Sequence, residues 1–276
     1  MALAAHLDAL KSRYDSPEAL SQDPLALVLA APAPEDREVT AWVAATLAYG
    51  KVAPMLRAIT AGLAPLGARP ATWLRERTEA QAEKALRKAL RGWAWRFHTG
   101  EDLAHWLLAW RRLDAAGGLE AAFRPHPGEP ADAALSRLAQ RLRRELPETY
   151  GLRFSLPDLL EGGACKRWRM FLRWMVRPGW PDLGQWTALR PAELLIPVDT
   201  HVARVSRFIG LTARATADGR MAEEITAALA RACPEDPLTY DFALSHLGIL
   251  GDCPGVRHRT HCRPCPLYRI CRAGKG

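Results

Sequence analysis

Four cysteines crowd the last quarter of this 276-residue chain, Cys253, Cys262, Cys265 and Cys271, in the spacing C-x8-C-x2-C-x5-C. Four thiolates closing on one centre make a metal site. Structural zinc sites usually come as two short C-x2–4-C knuckles separated by a long loop. Here only Cys262 and Cys265 form a knuckle, and the outer two reach in over longer arms. Such uneven arms suit the larger cube of a [4Fe–4S] cluster, which is held by four cysteines. Zinc, or cysteines with no metal at all, are the competing readings.

A second feature lies upstream. Leu159-Leu160-Glu161-Gly162-Gly163-Ala164-Cys165-Lys166-Arg167 sets a glycine-rich turn directly before a helix. Backbone N–H groups freed at a helix N-terminus suit a DNA phosphate. Gly162, Gly163 and Ala164 would present them, with Arg167 beside the turn. A plain connection between helices has the same look at this level.

The elements that must carry these groups are helical. Ala-, Leu- and Arg-rich stretches with helical spacing run through 39–49, 80–91, 103–113, 131–146, 166–176 and 222–232. Pro and Gly punctuate them at Ala31–Pro34, Gly117-Gly118, Pro125–Pro130, Pro178–Pro181 and Pro234–Pro237. No run of alternating β-branched residues argues for a sheet, so the expected fold class is all-α. The Pro-rich stretch Arg124–Pro130 is the best candidate linker.

Composition narrows the function classes. A net charge of +8 and a pI near 9.5 point to an anionic partner, most often nucleic acid, against the plainer reading of a basic surface. No apolar run approaches the roughly twenty residues of a membrane span, so no membrane is expected. The first ten residues contain Asp8, lack a basic leader and read as the start of an amphipathic helix. Six cysteines without a secretion signal argue for a reducing cytoplasm, where metal ligation is favoured over disulfides. Cys165 and Cys233 are left over as small, partly buried residues. There is no nucleoside-triphosphate loop and no serine-triad signature.

The order turn, Lys166, Asp199, four cysteines resembles the helix–hairpin–helix base-excision DNA glycosylases of the endonuclease III superfamily. Leu160-Glu161-Gly162-Gly163-Ala164 stands at the hairpin of that superfamily, which reads Leu-Pro-Gly-x-Gly, and Lys166 falls at the lysine of bifunctional members. Val198-Asp199-Thr200-His201-Val202-Ala203-Arg204-Val205 matches the segment that supplies the catalytic aspartate. Glu161 replaces the hairpin proline and Ala164 its second glycine. The separation 199 − 166 = 33 and the eight-residue first cysteine gap are both longer than in endonuclease III. The separation is closer to that of archaeal 8-oxoguanine glycosylases. Three further runs, 48–52, 165–177 and 236–244, look like the bacterial DUF2400 family, and that resemblance covers nearly the whole chain.

The resemblance implies a chemistry. Breaking an N-glycosidic bond develops positive charge on the sugar, which the Asp199 carboxylate would stabilise. Asp199 also reads as a helix N-cap, with Val198 ahead of it as a staple. Lys166 would attack C1′ as a neutral amine and form a Schiff base, after which β-elimination nicks the strand. The plainer role for Lys166 is a phosphate contact. Tyr49, with Gly50 and Lys51, lies where endonuclease III places a residue that wedges into the gap left by a flipped base. Trp93, Trp95, Trp106, Trp110, Trp168, Trp174 and Trp186 read mostly as core residues. The arginines of the cysteine loop, with His258 and His261, are candidate phosphate contacts.

The implied architecture is two helical domains flanking a DNA-binding cleft, an internal bundle over 36–150 and a second domain from 1–35 plus 151–276. The implied partner is double-stranded DNA with a damaged base, bound by a monomer in the bacterial cytoplasm at the nucleoid. Three functions compete. The first is a bifunctional glycosylase and AP lyase for an oxidised base such as 8-oxoguanine. The second is a monofunctional glycosylase for uracil or an alkylated or mispaired base, using Asp199 alone. The third is a non-catalytic DNA-binding iron–sulfur protein.

Overall fold

The computed structural model describes residues 3–274, and the chain divides into two compact units. The first unit takes the chain up to Gln22, then Glu161–Gly184, then Leu189 onward. The second takes Asp23–Leu160 and Gln185–Ala188. The described residues are mostly helical, and the fold class is all-α.

The chain enters through α1 (Leu3–Tyr14) and α2 (Pro17–Leu20), both in the first unit. The second unit follows with α3 (Leu25–Leu29), α4 (Pro34–Leu47), α5 (Val52–Leu63), α6 (Pro70–Arg75) and α7 (Glu79–Ala89). After α7 come the short strands β1 (Ala94–Trp95) and β2 (His98–Thr99), then α8 (Gly100–Ala115), α9 (Leu119–Phe123), α10 (Ala131–Glu145) and α11 (Tyr150–Ser155). The first unit resumes with α12 (Lys166–Val176), α13 (Thr200–Phe208), α14 (Gly219–Ala230) and α15 (Asp241–Ile249).

Each of the six stretches read from the 3.6-residue period falls mostly on a helix, α4, α7, α8, α10, α12 or α14, whereas α5 and α15 are not among them. The stretch read as 166–176 is α12 residue for residue, and the one read as 131–146 is α10, ending one residue earlier. The hairpin was not visible in the sequence. Its strands are two residues each, too short to show alternation, and pair as Ala94 with Thr99 and Trp95 with His98. The connection Arg124–Pro130 lies inside the second unit, where Arg137 donates to the Arg124 carbonyl at 2.9 Å.

Each unit is built around one helix buried on almost every face, as a helix apolar all round must be. In the second unit that helix is α4, buried from Val39 to Leu47. Trp42 of α4 stacks on Trp106 of α8 at 4.2 Å and 4°. Each indole N–H donates to the other residue's backbone carbonyl, at 3.0 and 3.1 Å. In the first unit the central helix is α15, against which α1 and α13 pack. Gly248 sets the closeness of α13, since a Cβ there would lie 2.3 Å from His201 Nδ1. Tyr240 donates to Asp8 at 2.8 Å and Tyr14 to Asp252 at 2.6 Å, tying α1 to both ends of α15.

Candidate active site and cysteine loop

Lys166 opens α12 and Asp199 caps α13, and the first unit brings them together: Lys166 Nζ lies 3.7 Å from Asp199 Oδ2. Neither is fully buried, with side chains 31% and 17% exposed, so the pair remains open to a ligand. The two oxygens of Asp199 divide their work. Oδ1 accepts from His201 N at 2.9 Å and Val202 N at 2.8 Å, satisfying donors that a helix start leaves orphaned. Oδ2 faces the lysine. Capping and the ion pair are therefore served by one carboxylate without competition.

The Gly162–Gly163 turn before α12 is pinned from the far side. Gly162 adopts φ +83, and its carbonyl accepts from Gly219 N at 2.8 Å, next to an isolated bridge between Gly163 and Asp218. Asp218 itself caps α14 through Met221 N at 2.8 Å and pairs with Arg214 at 2.6 Å. Gly162 and Gly163 are exposed, and Ala164 and Arg167 half-buried. The Ala164 carbonyl accepts from Arg169 at 3.0 Å. Cys165 holds the left-handed φ of +43 just ahead of Lys166, an unusual conformation for a side-chain-bearing residue, and gives α12 no side-chain cap. The chain is entered here from a 3₁₀ turn, Leu159–Glu161.

Beneath the pair runs a ladder of buried ions that sequence reasoning missed. Arg173 bonds Asp241 and reaches Asp182 at 3.1 Å. Arg177 bonds Asp182 and takes Asp236 in a two-pronged grip at 2.8 and 2.7 Å. Burial pushes the Asp241 carboxyl up to about 6, Arg173 works against that shift, and the nearby Asp199 and Asp182 charges add to it. The runs 165–177 and 236–244 carry four of the five partners, Arg173, Arg177, Asp236 and Asp241, but their types and spacing alone do not pair them.

The four cysteines of the C-terminal loop are free thiols and line one recess, walled otherwise by apolar side chains such as Val205, Ile209, Leu247 and Leu267. Among the described residues no three His, Cys, Asp or Glu side chains converge as a single-ion site. The Cys262 sulfur accepts from His258 N at 3.3 Å. Burial pushes the Cys265 thiol up, the Leu267 N–H and then Arg13 oppose this, and Cys253 and Cys271 add to it. A bound cation would reverse that preference by favouring thiolates. An apolar recess, four sulfurs and a backbone N–H aimed at one of them form a donor set that fits an iron–sulfur cluster.

Not every basic residue of the loop faces outward. Arg257 donates to the carbonyls of Cys271 and Tyr268 at 3.2 and 3.3 Å and lies over the Tyr268 ring. His261 donates to the Asp252 carbonyl at 3.1 Å. These two brace the loop. In the second unit, the Tyr49 hydroxyl meets His98 Nδ1 at 2.7 Å and its ring is enclosed by Trp95, Phe97 and Phe154, while Lys51 is exposed at the start of α5.

Comparison with known proteins places this geometry in a family. The model of the family described as Protein of unknown function (DUF2400) matches residues 23–250. No curated protein and no solved structure matches the chain. The chain belongs to the DUF2400 family. The matched span holds Lys166, Asp199 and the whole ion ladder, and it ends at Leu250, 253 − 250 = 3 residues before the first loop cysteine.

Proposed function

We propose that this protein is a DNA N-glycosylase with AP-lyase activity, akin to the helix–hairpin–helix enzymes of the endonuclease III superfamily, acting on an oxidised base such as 8-oxoguanine in duplex DNA. The observation that carries the reading is the Lys166–Asp199 pair at 3.7 Å, formed by residues 33 positions apart and left accessible. An amine beside a carboxylate at the starts of two helices is what nucleophilic base excision needs.

The roles follow from the atoms. Lys166 must give up a proton before it can attack, and Asp199 Oδ2 is placed to receive it. The neutral amine bonds to C1′ as the glycosidic C–N bond breaks, and the base leaves with the electron pair and takes up a proton. Asp199 passes the lysine proton on to the departing base and, an anion again, stabilises the positive charge that develops on the sugar. The ring opens to a protonated Schiff base on Lys166, whose loss of a 2′ proton expels the 3′ phosphate. The Gly162–Ala164 turn and the N-terminus of α12 serve as the hairpin that takes a backbone phosphate, with Arg167 beside them.

Cys253, Cys262, Cys265 and Cys271 would hold a [4Fe–4S] cluster, whose part is structural, since base excision needs no electron transfer. The basic balance of the chain supports a DNA partner, and affinity for undamaged duplex is expected to fall steeply with salt as counterions are released.

A panel of lesion duplexes with and without borohydride tests the reading. Borohydride should trap a covalent complex, and Lys166→Gln should abolish trapping while DNA binding persists. Asp199→Asn should slow base release by on the order of 10²–10³. Base release by Lys166→Gln without strand nicking would assign the monofunctional chemistry instead. Duplex binding with no excision on any lesion would leave a DNA-binding protein.

A further inference from the structure

The hairpin between α7 and α8 exposes an aromatic face that the chemistry above does not use. Phe97 sits at the two-residue turn, 39% exposed, and Tyr150, at the start of α11, is 68% exposed. Their rings meet edge to face at 5.1 Å. Phe97 also touches Phe154 edge-on at 5.0 Å and lies nearly parallel to Tyr49 at 5.9 Å. Large aromatic rings left in water cost free energy unless something covers them.

The floor under these rings is rigid. The Tyr49 hydroxyl meets His98 Nδ1 at 2.7 Å and the Trp95 carbonyl at 3.2 Å, His98 Nε2 meets Ser155 Oγ at 2.6 Å, and Ser155 Oγ reaches the Gly151 carbonyl at 3.0 Å. These bonds hold Tyr49, His98 and Ser155 in one buried or half-buried network. Tyr49 is thereby a support for the face and not its edge. The turn that lifts Phe97 is strained: Arg96 holds φ +50, a conformation few side-chain-bearing residues adopt. Holding Arg96 there places its guanidinium 5.8 Å from the Tyr49 ring and 5.7 Å from the Phe97 ring. Gly50, at φ +93, leaves room for it, since a Cβ there would lie 3.2 Å from the guanidinium. Lys51 follows, also exposed.

We propose that this face binds unpaired nucleobases, so that the second unit takes a single-stranded stretch of DNA or RNA. Every base has a π-face that stacks on Phe97 or Tyr150, and Arg96 and Lys51 supply the charge that a sugar-phosphate backbone requires. An apolar partner would not need the cations, and a paired duplex would bury the base faces on which stacking depends. The chain's charge of +8 favours the same partner. This binding is additional to base excision and does not depend on it.

Fluorescence anisotropy with a short labelled oligothymidine, the ribose oligomer of matching sequence, and a duplex of equal length reads the proposal. Phe97→Ala and Tyr150→Ala should each weaken single-strand binding by on the order of tenfold to a hundredfold, as loss of one stacked base does. Neither should change the slope of affinity against salt, because stacking releases no counterions. Phe97→Trp should keep the affinity, and circular dichroism of Tyr150→Ala guards against misfolding. Losses shared by the DNA and RNA strands support recognition of the base face, and a loss confined to one of them supports it and names the source. Unchanged single-strand affinity in both alanine variants overturns the proposal. So does an equal loss on the duplex, or self-association through Phe97 that oligothymidine fails to compete away. Lesion cleavage plays no part in this readout, so its failure leaves the reading of Lys166 and Asp199 untouched.

Discussion

The buried ion ladder under α12 and the cysteine loop are both held by polar atoms in apolar surroundings, yet they solve the problem in opposite ways. The ladder carries its own countercharges: Arg173 and Arg177 find Asp182, Asp236 and Asp241 within the chain. The loop, from Cys253 to Ala273, contains no regular helix or strand, and its four thiols line a recess walled by apolar side chains. One region is closed by charges within the chain. On the proposed function the other would be completed by a bound cluster, and the rigidity of the loop would then rest on that cluster as well as on the braces from Arg257 and His261.

The largest effect should fall on the loop. Purified anaerobically, the protein should be brown with about four irons per chain, and Cys262→Ala should lose the iron and expose the loop to protease. Colourless protein with stoichiometric zinc would remove the cluster from the comparison. Chelation should leave the α12 ladder folded, which hydrogen exchange of α12 and α15 amides would show.

Next in size is the ladder itself. Arg177→Met leaves Asp236 without its guanidinium and Asp182 with Arg173 alone, and a broken buried pair costs about 3–5 kcal/mol. Urea unfolding of the iron-loaded protein measures it. A loss below 1 kcal/mol would mean that the ladder is weaker than its burial implies.

A pH series sharpens the contrast further. The Asp241 carboxyl, held up at about 6, keeps its proton in the folded protein after the unfolded chain has released it. Its contribution is therefore present in full at low pH and is lost as pH rises from about 4 to 6, by up to about 3 kcal/mol. Asp241→Asn should flatten stability across that window. An unaltered slope would place the titration elsewhere.

The smallest effect belongs to Asp199. Asp199→Ala should cost about 1 kcal/mol through the lost cap, and Asp199→Asn a few tenths. Equal losses in thermal melts of the two variants would mean that Oδ1 does little for α13.

Several of these features were legible in the sequence and others were not, for physical reasons. The helices could be read because α10 and α12 repeat apolar residues at helical spacing. Asp199 before Thr200-His201 could be read as a cap because a short carboxylate just ahead of a helix reaches the free N–H groups of its first turn. The ladder could not. Arg173 and Arg177 lie four residues apart, and the acids folded in from 182, 236 and 241 permit their burial. Nothing local announces such partners. Cys165 was equally opaque as the residue preceding α12, since its left-handed φ runs against side-chain preference. Nothing in the sequence marks Phe97, because exposure at a two-residue turn is set by strands too short to leave a pattern.

The divided carboxylate of Asp199 has an evolutionary consequence. Because one oxygen starts α13 and the other meets Lys166, a descendant can discard the second role while retaining the first. Asn, Ser or Thr at this position would still begin the helix and preserve the scaffold. Only Asp keeps an anion opposite the amine. On the proposed function, position 199 would mark divergence: a relative carrying one of those three residues would keep the architecture and lose the proposed reaction.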